Sequence, residues 1–232
     1  MEQVELSEKM KKKLNEGRQF RKSLNPELRT ASDGEEGEMI VEGHATTFNQ
    51  PYDLYSYRDN WDGYDVVVKE QIDANAFDEC DMSDVIMQYD HEGRVLARTR
   101  NNTLEVSTDE TGLYIKADLS KSDLGAGLYK DIKNGIIDRM SFAFTVDGDS
   151  VTKETDETNK TITMLRTITK VGKLYDVSAV SIPANDGTDI SARSYSDGVI
   201  EQLKAERLEE LNKERQRKAL RLKLRLLEEK ER

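Results

Sequence analysis

Gly112-Leu113-Tyr114-Ile115-Lys116-Ala117-Asp118-Leu119 is the stretch whose reading decides the fold. Leu113, Ile115, Ala117 and Leu119 alternate with Tyr114, Lys116 and Asp118. A period of two puts the apolar side chains on one face and the polar ones on the other, which predicts a half-buried β-strand. The flanking chain reads the same way. Residues 39–48 open the compact region as a strand. Asp65-Val66-Val67-Val68-Lys69 is a β-branched run, and residues 85–89, 139–146, 161–169 and 174–182 supply further strands. Asp147-Gly148-Asp149 reads as a turn, and the polar stretch through Lys160 as a hairpin or loop excursion. Ser122 is placed to cap a helix carrying Leu124, Leu128 and Ile132, with Gly135 ending it, although Gly125 and Gly127 are poor helix formers. The fold class predicted is α+β: a mainly antiparallel, barrel-like β core with a few helices, followed by a long charged C-terminal helix.

Composition shifts divide the chain into three. Residues 1–37 are charged and interrupted by Gly17 and Pro26, so they read as an N-terminal extension. Residues 38–194 form the domain. Residues 195–232 lack Pro throughout and lack Gly after Gly198; Ile200, Leu203, Leu208 and Leu211 make one apolar stripe and Leu220, Leu224 and Leu227 another. That is a helical tail whose heptads are not sustained long enough to establish a coiled coil. Hydrophobic and charged residues are nearly balanced, at 36% and 35%, so part of the chain is solvated. The net charge of −11 resides in the body rather than the tail, which argues against a nucleic-acid-binding surface. No apolar run approaches the ~20 residues of a membrane span. Cys80 is the only cysteine, which excludes an intrachain disulfide and points to a cytosolic compartment.

The chemistry-bearing residues are few. Of the two histidines, His91 closes the run Val85-Ile86-Met87-Gln88-Tyr89-Asp90-His91, whereas His44 lies within a strand and reads as structural. Ser141 sits in Met140-Ser141-Phe142-Ala143-Phe144 and Asp176 in Leu174-Tyr175-Asp176-Val177-Ser178. A base, a nucleophile and an acid thus occur in order on strand-like segments, and a serine hydrolase needs little more. Cys80, among acidic neighbours, is a poor nucleophile. Asp59, Asp62 and Asp65 lack calcium-loop spacing, and two histidines with one cysteine do not make a usual zinc site, so neither a metal nor another cofactor is expected. Tyr52, Tyr55, Tyr57, Trp61 and Tyr64 form an aromatic patch that reads as turn packing, with lining of a substrate groove as the alternative. Arg139 and Arg166 are weighed as oxyanion helpers, with ion pairing the better reading for each.

Five pieces carry a family resemblance: residues 41–49 (Val41-Glu42-Gly43-His44-Ala45-Thr46-Thr47-Phe48-Asn49), Gln88-Tyr89-Asp90-His91 with Gly93-Arg94, residues 109–117, residues 133–144, and Leu174-Tyr175-Asp176-Val177-Ser178 running into Ile182-Pro183-Ala184-Asn185. In order and spacing they resemble the caudovirus prohead protease family of the HK97 type, which is similar in fold to the herpesvirus assemblins. The resemblance implies a serine endopeptidase that matures a procapsid from within. It implies cleavage of scaffold or capsid protein, and of the protease itself, in the host cytoplasm inside the assembling shell. The family's histidine falls on His91 and its serine on Ser141. Its third, acidic position is usually Glu and is here Asp176, one methylene shorter. The partners implied are the major capsid protein or a scaffolding protein, with self-association left open and neither nucleic acid nor membrane expected. The alternative is a non-catalytic capsid scaffold or assembly protein acting through its helical tail.

Overall fold

The computed structural model describes residues 2–4, 15–22, 28–31, 38–58 and 63–181, together with scattered positions between 205 and 221. Among them twelve strands and one α-helix have defined bounds, besides helical positions beyond residue 204. The strands are β1 (Glu2–Gln3), β2 (Gln19–Lys22), β3 (Arg29–Thr30), β4 (Ile40–Thr47), β5 (Tyr52–Arg58), β6 (Asp65–Ile72), β7 (Ile86–Tyr89), β8 (Glu92–Arg98), β9 (Leu104–Thr108), β10 (Gly112–Asp118), β11 (Arg139–Asp156) and β12 (Thr161–Val180); the helix, α1, is Asp123–Lys133. They form two sheets.

The alternating stretch is β10, the inner strand of a four-stranded antiparallel sheet in the order β3-β4-β10-β9. Its apolar side is fully buried: Leu113, Ile115, Ala117 and Leu119 have no exposed surface. Gly112 permits the close approach of β10 to β4, because a Cβ there would lie 1.9 Å from the Thr46 carbonyl oxygen; the register shifts just after it, between Leu113 and Tyr114.

The larger sheet has eight strands and is built on the antiparallel pair β11–β12. β11 also accepts β1 and β2 along its other edge, and β12 accepts β6 and β7, both parallel to it. β5 extends the sheet beyond β6, and β8 beyond β7. Neither sheet closes on itself, so the barrel-like expectation is corrected to two open sheets; a strand pattern shows which residues are extended, not which edges meet. Met140, Phe142, Phe144, Val171, Leu174 and Val177 of the large sheet join Val41, Leu113 and Ile115 of the small one in a common core, closed by Leu128 and Ile132 of α1. Val66, Val68, Val151, Ile162 and Met164 form a second core under the far half of the β11–β12 hairpin.

Asp147-Gly148-Asp149 does not turn the chain. β11 runs through it, with register shifts from Ala143 to Asp149, and the actual reversal is at residues 157–160. The cause is a series of bulges that use the same residue types as a turn. Asp147 also crowds Gly172 on β12, where a Cβ would lie 2.4 Å from its carboxylate. The segment ahead of residue 38, read as a charged extension, supplies three strands, and two of them lie on β11. The long charged C-terminal helix falls mostly outside the described residues; positions such as Ala205, Leu208, Arg215 and Leu220 are helical, and Lys213 pairs with Glu209 one turn back at 2.7 Å.

Helix α1 starts where expected, with the Ser122 hydroxyl accepting the Gly125 N–H. Leu128 and Ile132 face the core, whereas Leu124 is exposed. Gly125 is a packing requirement: a Cβ there would sit 2.5 Å from the Leu119 carbonyl oxygen, while one on Gly127 would meet nothing within 4 Å. Helix propensity alone favours alanine over glycine by about 1 kcal/mol at either site. Gly127→Ala is therefore expected to raise the urea midpoint and Gly125→Ala to lower it. Equal stabilisation by both would refute the contact argument.

Candidate active site

One strand register sets two of the three residues singled out in the sequence. Ser141 on β11 lies opposite Ser178 on β12, and Asp176 is two residues from Ser178. Because side chains alternate along a strand, Ser141, Ser178 and Asp176 project from one face. The third comes from the tip of the β7–β8 hairpin. There Asp90 and His91 form a two-residue connection between Tyr89 and Glu92, with φ of +49° and +59°. Positive φ at both central positions is the turn that matches strand twist, and it is usually made with Asn, Asp or Gly. Asp90 holds this turn against β12. Its N–H donates to the Ala179 carbonyl at 2.9 Å, and its carboxylate accepts the Ser181 N–H at 2.9 Å and hydroxyl at 2.8 Å. Asp90 is a positioning residue that the sequence reading passed over; an Asp next to the candidate base in a tight turn is the signal that was available.

His91 thereby lies between the other two. Its Nδ1 is 2.5 Å from Asp176 Oδ1 and its Nε2 is 2.5 Å from Ser141 Oγ. A carboxylate beside Nδ1 assigns the ring proton to that nitrogen, leaving Nε2 to accept from the serine hydroxyl. Ser178 donates a further hydrogen bond to Asp176 Oδ1 at 2.9 Å. Ser141 and Asp176 are fully buried, and the His91 side chain is 14% exposed. The arrangement can deprotonate a serine as it attacks a carbonyl, orient the base and offset the charge that develops on it.

The N-terminal strand covers this constellation. Arg18 pairs with Asp176 Oδ2 and lays its guanidinium 4.7 Å from the Tyr175 ring centroid. Phe20 meets His91 edge to face at 4.9 Å. The Arg21 carbonyl oxygen lies 2.9 Å from Ser141 Oγ, which donates to it. A serine hydroxyl has one proton, so the Arg21 carbonyl and His91 Nε2 compete for it.

Alternation along β2 sends Gln19 and Arg21 to the opposite face, into a buried charge cluster. The Arg21 guanidinium grips Glu70 through Nε at 2.5 Å and Nη2 at 3.2 Å. Arg166 reaches the same carboxylate at 2.7 Å and Asp149 at 2.8 Å, and Tyr52 donates to Glu70 at 2.5 Å. Glu70 and Arg166 have no exposed surface. Burial alone would raise the Glu70 carboxyl, but the guanidinium groups of Arg21 and Arg166 outweigh it and hold it at about 2. Burial, with the Glu70 charge beside it, pushes the Tyr52 phenol well above its ordinary value, so it stays a donor.

The remaining candidates are accounted for elsewhere. His44 Nε2 is 2.7 Å from Asp109 in the small sheet. Arg166 serves the charge cluster, and Arg139 lies 3.5 Å from Asp138. Burial pushes the Cys80 thiol up to about 11; a backbone hydrogen bond at Leu174 opposes this, and Asp81 and Asp147 add to it. Tyr55 and Tyr57 stack at 6.0 Å and Tyr64 is buried, whereas Trp61 lies outside the described residues. Asp59 and Asp62 also lie outside them, and Asp65 faces Arg58 at 3.5 Å. Among the described residues no group of His, Cys, Asp and Glu is placed to hold a metal ion.

Glu70 supplies a pH test. Its carboxyl is depressed on folding, so its ionised form contributes stability that is fully present above about 4.5 and is lost as pH falls through about 2. Wild type should exceed Glu70→Gln in urea unfolding free energy at about pH 7, and the gap should narrow at about pH 3. A gap independent of pH would show that the Glu70 charge is not what holds the cluster.

A family model described as caudovirus prohead serine protease matches residues 26–201, a span that includes His91, Ser141 and Asp176. Neither the curated proteins nor the solved structures searched gave a match.

Proposed function

The chain belongs to the caudovirus prohead serine proteases, and we propose that it is the endopeptidase that cleaves scaffold or capsid protein, and itself, during phage head maturation. The observation that carries this reading is His91 standing 2.5 Å from both Ser141 Oγ and Asp176 Oδ1, across 50 and 85 residues of sequence. Three residues this distant in the chain converge in the order that acyl transfer requires.

In this reading Ser141 Oγ attacks the scissile carbonyl as its proton passes to His91 Nε2. Asp176 holds the imidazole through Nδ1–H and stabilises the imidazolium without taking the proton. His91 then protonates the leaving amine, the peptide bond breaks, and the acyl-serine is hydrolysed by a water that His91 deprotonates. The shorter Asp176 arm serves because β12 brings it directly under the hairpin tip, where Ser178 and Arg18 complete its hydrogen bonding. The partners proposed are the major capsid or scaffolding protein, met inside the procapsid in the host cytoplasm.

Co-expression with the neighbouring capsid or scaffold protein tests the reading by intact mass. Wild type should cleave it; Ser141→Ala and His91→Ala should lower the rate by about a thousandfold or more, with the fold retained by circular dichroism. Equal cleavage by wild type and Ser141→Ala would remove the serine from the mechanism. A second expectation concerns the tail. Deleting the residues after Asp197 should leave peptide hydrolysis intact and prevent incorporation into proheads; normal incorporation would show that the tail is not the packaging element.

A further inference from the structure

We propose that strand Gln19–Lys22 is the enzyme's own first substrate, cut between Arg21 and Lys22, and that Glu70 selects arginine on the acyl side of the scissile bond. The proposal rests on the serine protease reading and names the bond and the side chain it takes.

The segment is held as an extended peptide in an active site should be. It adds as an antiparallel strand to β11, with Lys22 opposite Ser141 and Arg21 opposite Phe142. Main-chain pairing of this kind recognises any peptide, and specificity then falls to the pockets under alternate side chains. The carbonyl within reach of Ser141 Oγ, at 2.9 Å, is that of Arg21. The side chain of the same residue enters the buried cluster and meets Glu70 with two nitrogens. A planar guanidinium on a carboxylate is a directional, charge-assisted match that an ammonium or a neutral amide does not reproduce.

The cluster also shows what would remain after the cut. Among the described members of the cluster, Arg21 is the charged one on the strand; Glu70 is on β6, Asp149 on β11 and Arg166 on β12. Among the described residues, departure of Arg21 leaves the Glu70 and Asp149 carboxylates facing the Arg166 guanidinium, an excess of negative charge. The next peptide to enter is then selected for the same group. The matched family span begins at residue 26, so the cut leaves it whole.

The step balances. Ser141 Oγ bonds to the Arg21 carbonyl carbon while His91 takes the hydroxyl proton. The Arg21–Lys22 C–N bond breaks, and the proton passes to the Lys22 nitrogen. One water then releases the Arg21 carboxylate, so the two products together weigh one water more than the parent. Until that step the strand occludes Ser141, and Arg18 engages the carboxylate that His91 requires. Arg18, Phe20 and Arg21 all leave on the same fragment.

The full chain is expressed alone and followed by intact mass and N-terminal sequencing, and the product is then given peptides with Arg, Lys or Gln before the scissile bond. The expected result is a form beginning at Lys22, absent from Ser141→Ala, slowed about tenfold or more by Arg21→Gln and less by Arg21→Lys. Among the peptides, arginine should be preferred, and Glu70→Gln should weaken that preference. Serine-dependent cleavage of capsid or scaffold protein with residues 1–21 still attached, or self-cleavage elsewhere, would overturn the proposal and leave the protease reading standing. Cleavage of neither the chain nor its proposed partners would overturn both.

Discussion

The antiparallel ladder between β11 and β12 is the constraint on which the rest depends. These strands span 18 and 20 residues, and nearly everything else in the large sheet pairs with one of them or with a neighbour of one of them. Their register sets Ser141 opposite Ser178 and so fixes its separation from Asp176. A slip of one residue would turn the slipped strand's side chains to the other face and separate nucleophile from acid. The bulges between Ala143 and Asp149 divide the ladder into two halves. One half carries Ser141 and Asp176 over the main core, with His91 reaching them from the β7–β8 hairpin. The other carries Asp149 and Arg166 beside the second core. A single hairpin therefore frames both the reacting groups and the charge cluster.

That cluster is an expensive way to hold a strand. Each buried ion loses several kcal/mol of hydration, which is recovered only when every charge has well-placed partners. Here Glu70 has two guanidinium groups and the Tyr52 hydroxyl, and Arg166 has Glu70, Asp149 and Asn15. Apolar residues of similar volume would serve stability as well or better. The use of charged residues instead fits recognition of one charged side chain rather than support of the sheet. Breaking such a pair from one side typically costs about 3–5 kcal/mol, so the strand is held firmly while its arginine is in place.

The parts of the fold that were legible are those with a local signature. The alternation in Leu113 to Leu119 located β10 and its buried face, and Ser122 located the start of α1. Asp147-Gly148-Asp149 misled because bulges and turns recruit the same small and acidic residues; only the pairing partner distinguishes them. At the site, His91 stood out by the scarcity of histidine and Ser141 by its apolar flanks and the family resemblance, and the structure brings them together with Asp176. Strand β2 was not legible: it is three charged or polar residues with one phenylalanine, and its partners lie about 120 positions away. The pair of Arg21 and Glu70 is equally silent, since an ion pair formed across 49 residues leaves no trace in either neighbourhood. The one hint was alternation, with Phe20 between Gln19 and Arg21.

The parallel docking of β7 on β12 has a consequence for the order in which the chain acquires its shape. Parallel strands have no hairpin to join them, and their pairing must await closure of a long loop. His91 meets Asp176 only after that closure, across 85 residues, and the covering strand meets Ser141 across 120. Long-range contacts of this kind form late and slowly. A chain still emerging from the ribosome carries the base and the serine before it has made the strand that bears the acid. Hydrolytic competence then arrives only with the completed sheet, which protects the folding protein, and its neighbours, from a protease switched on too soon.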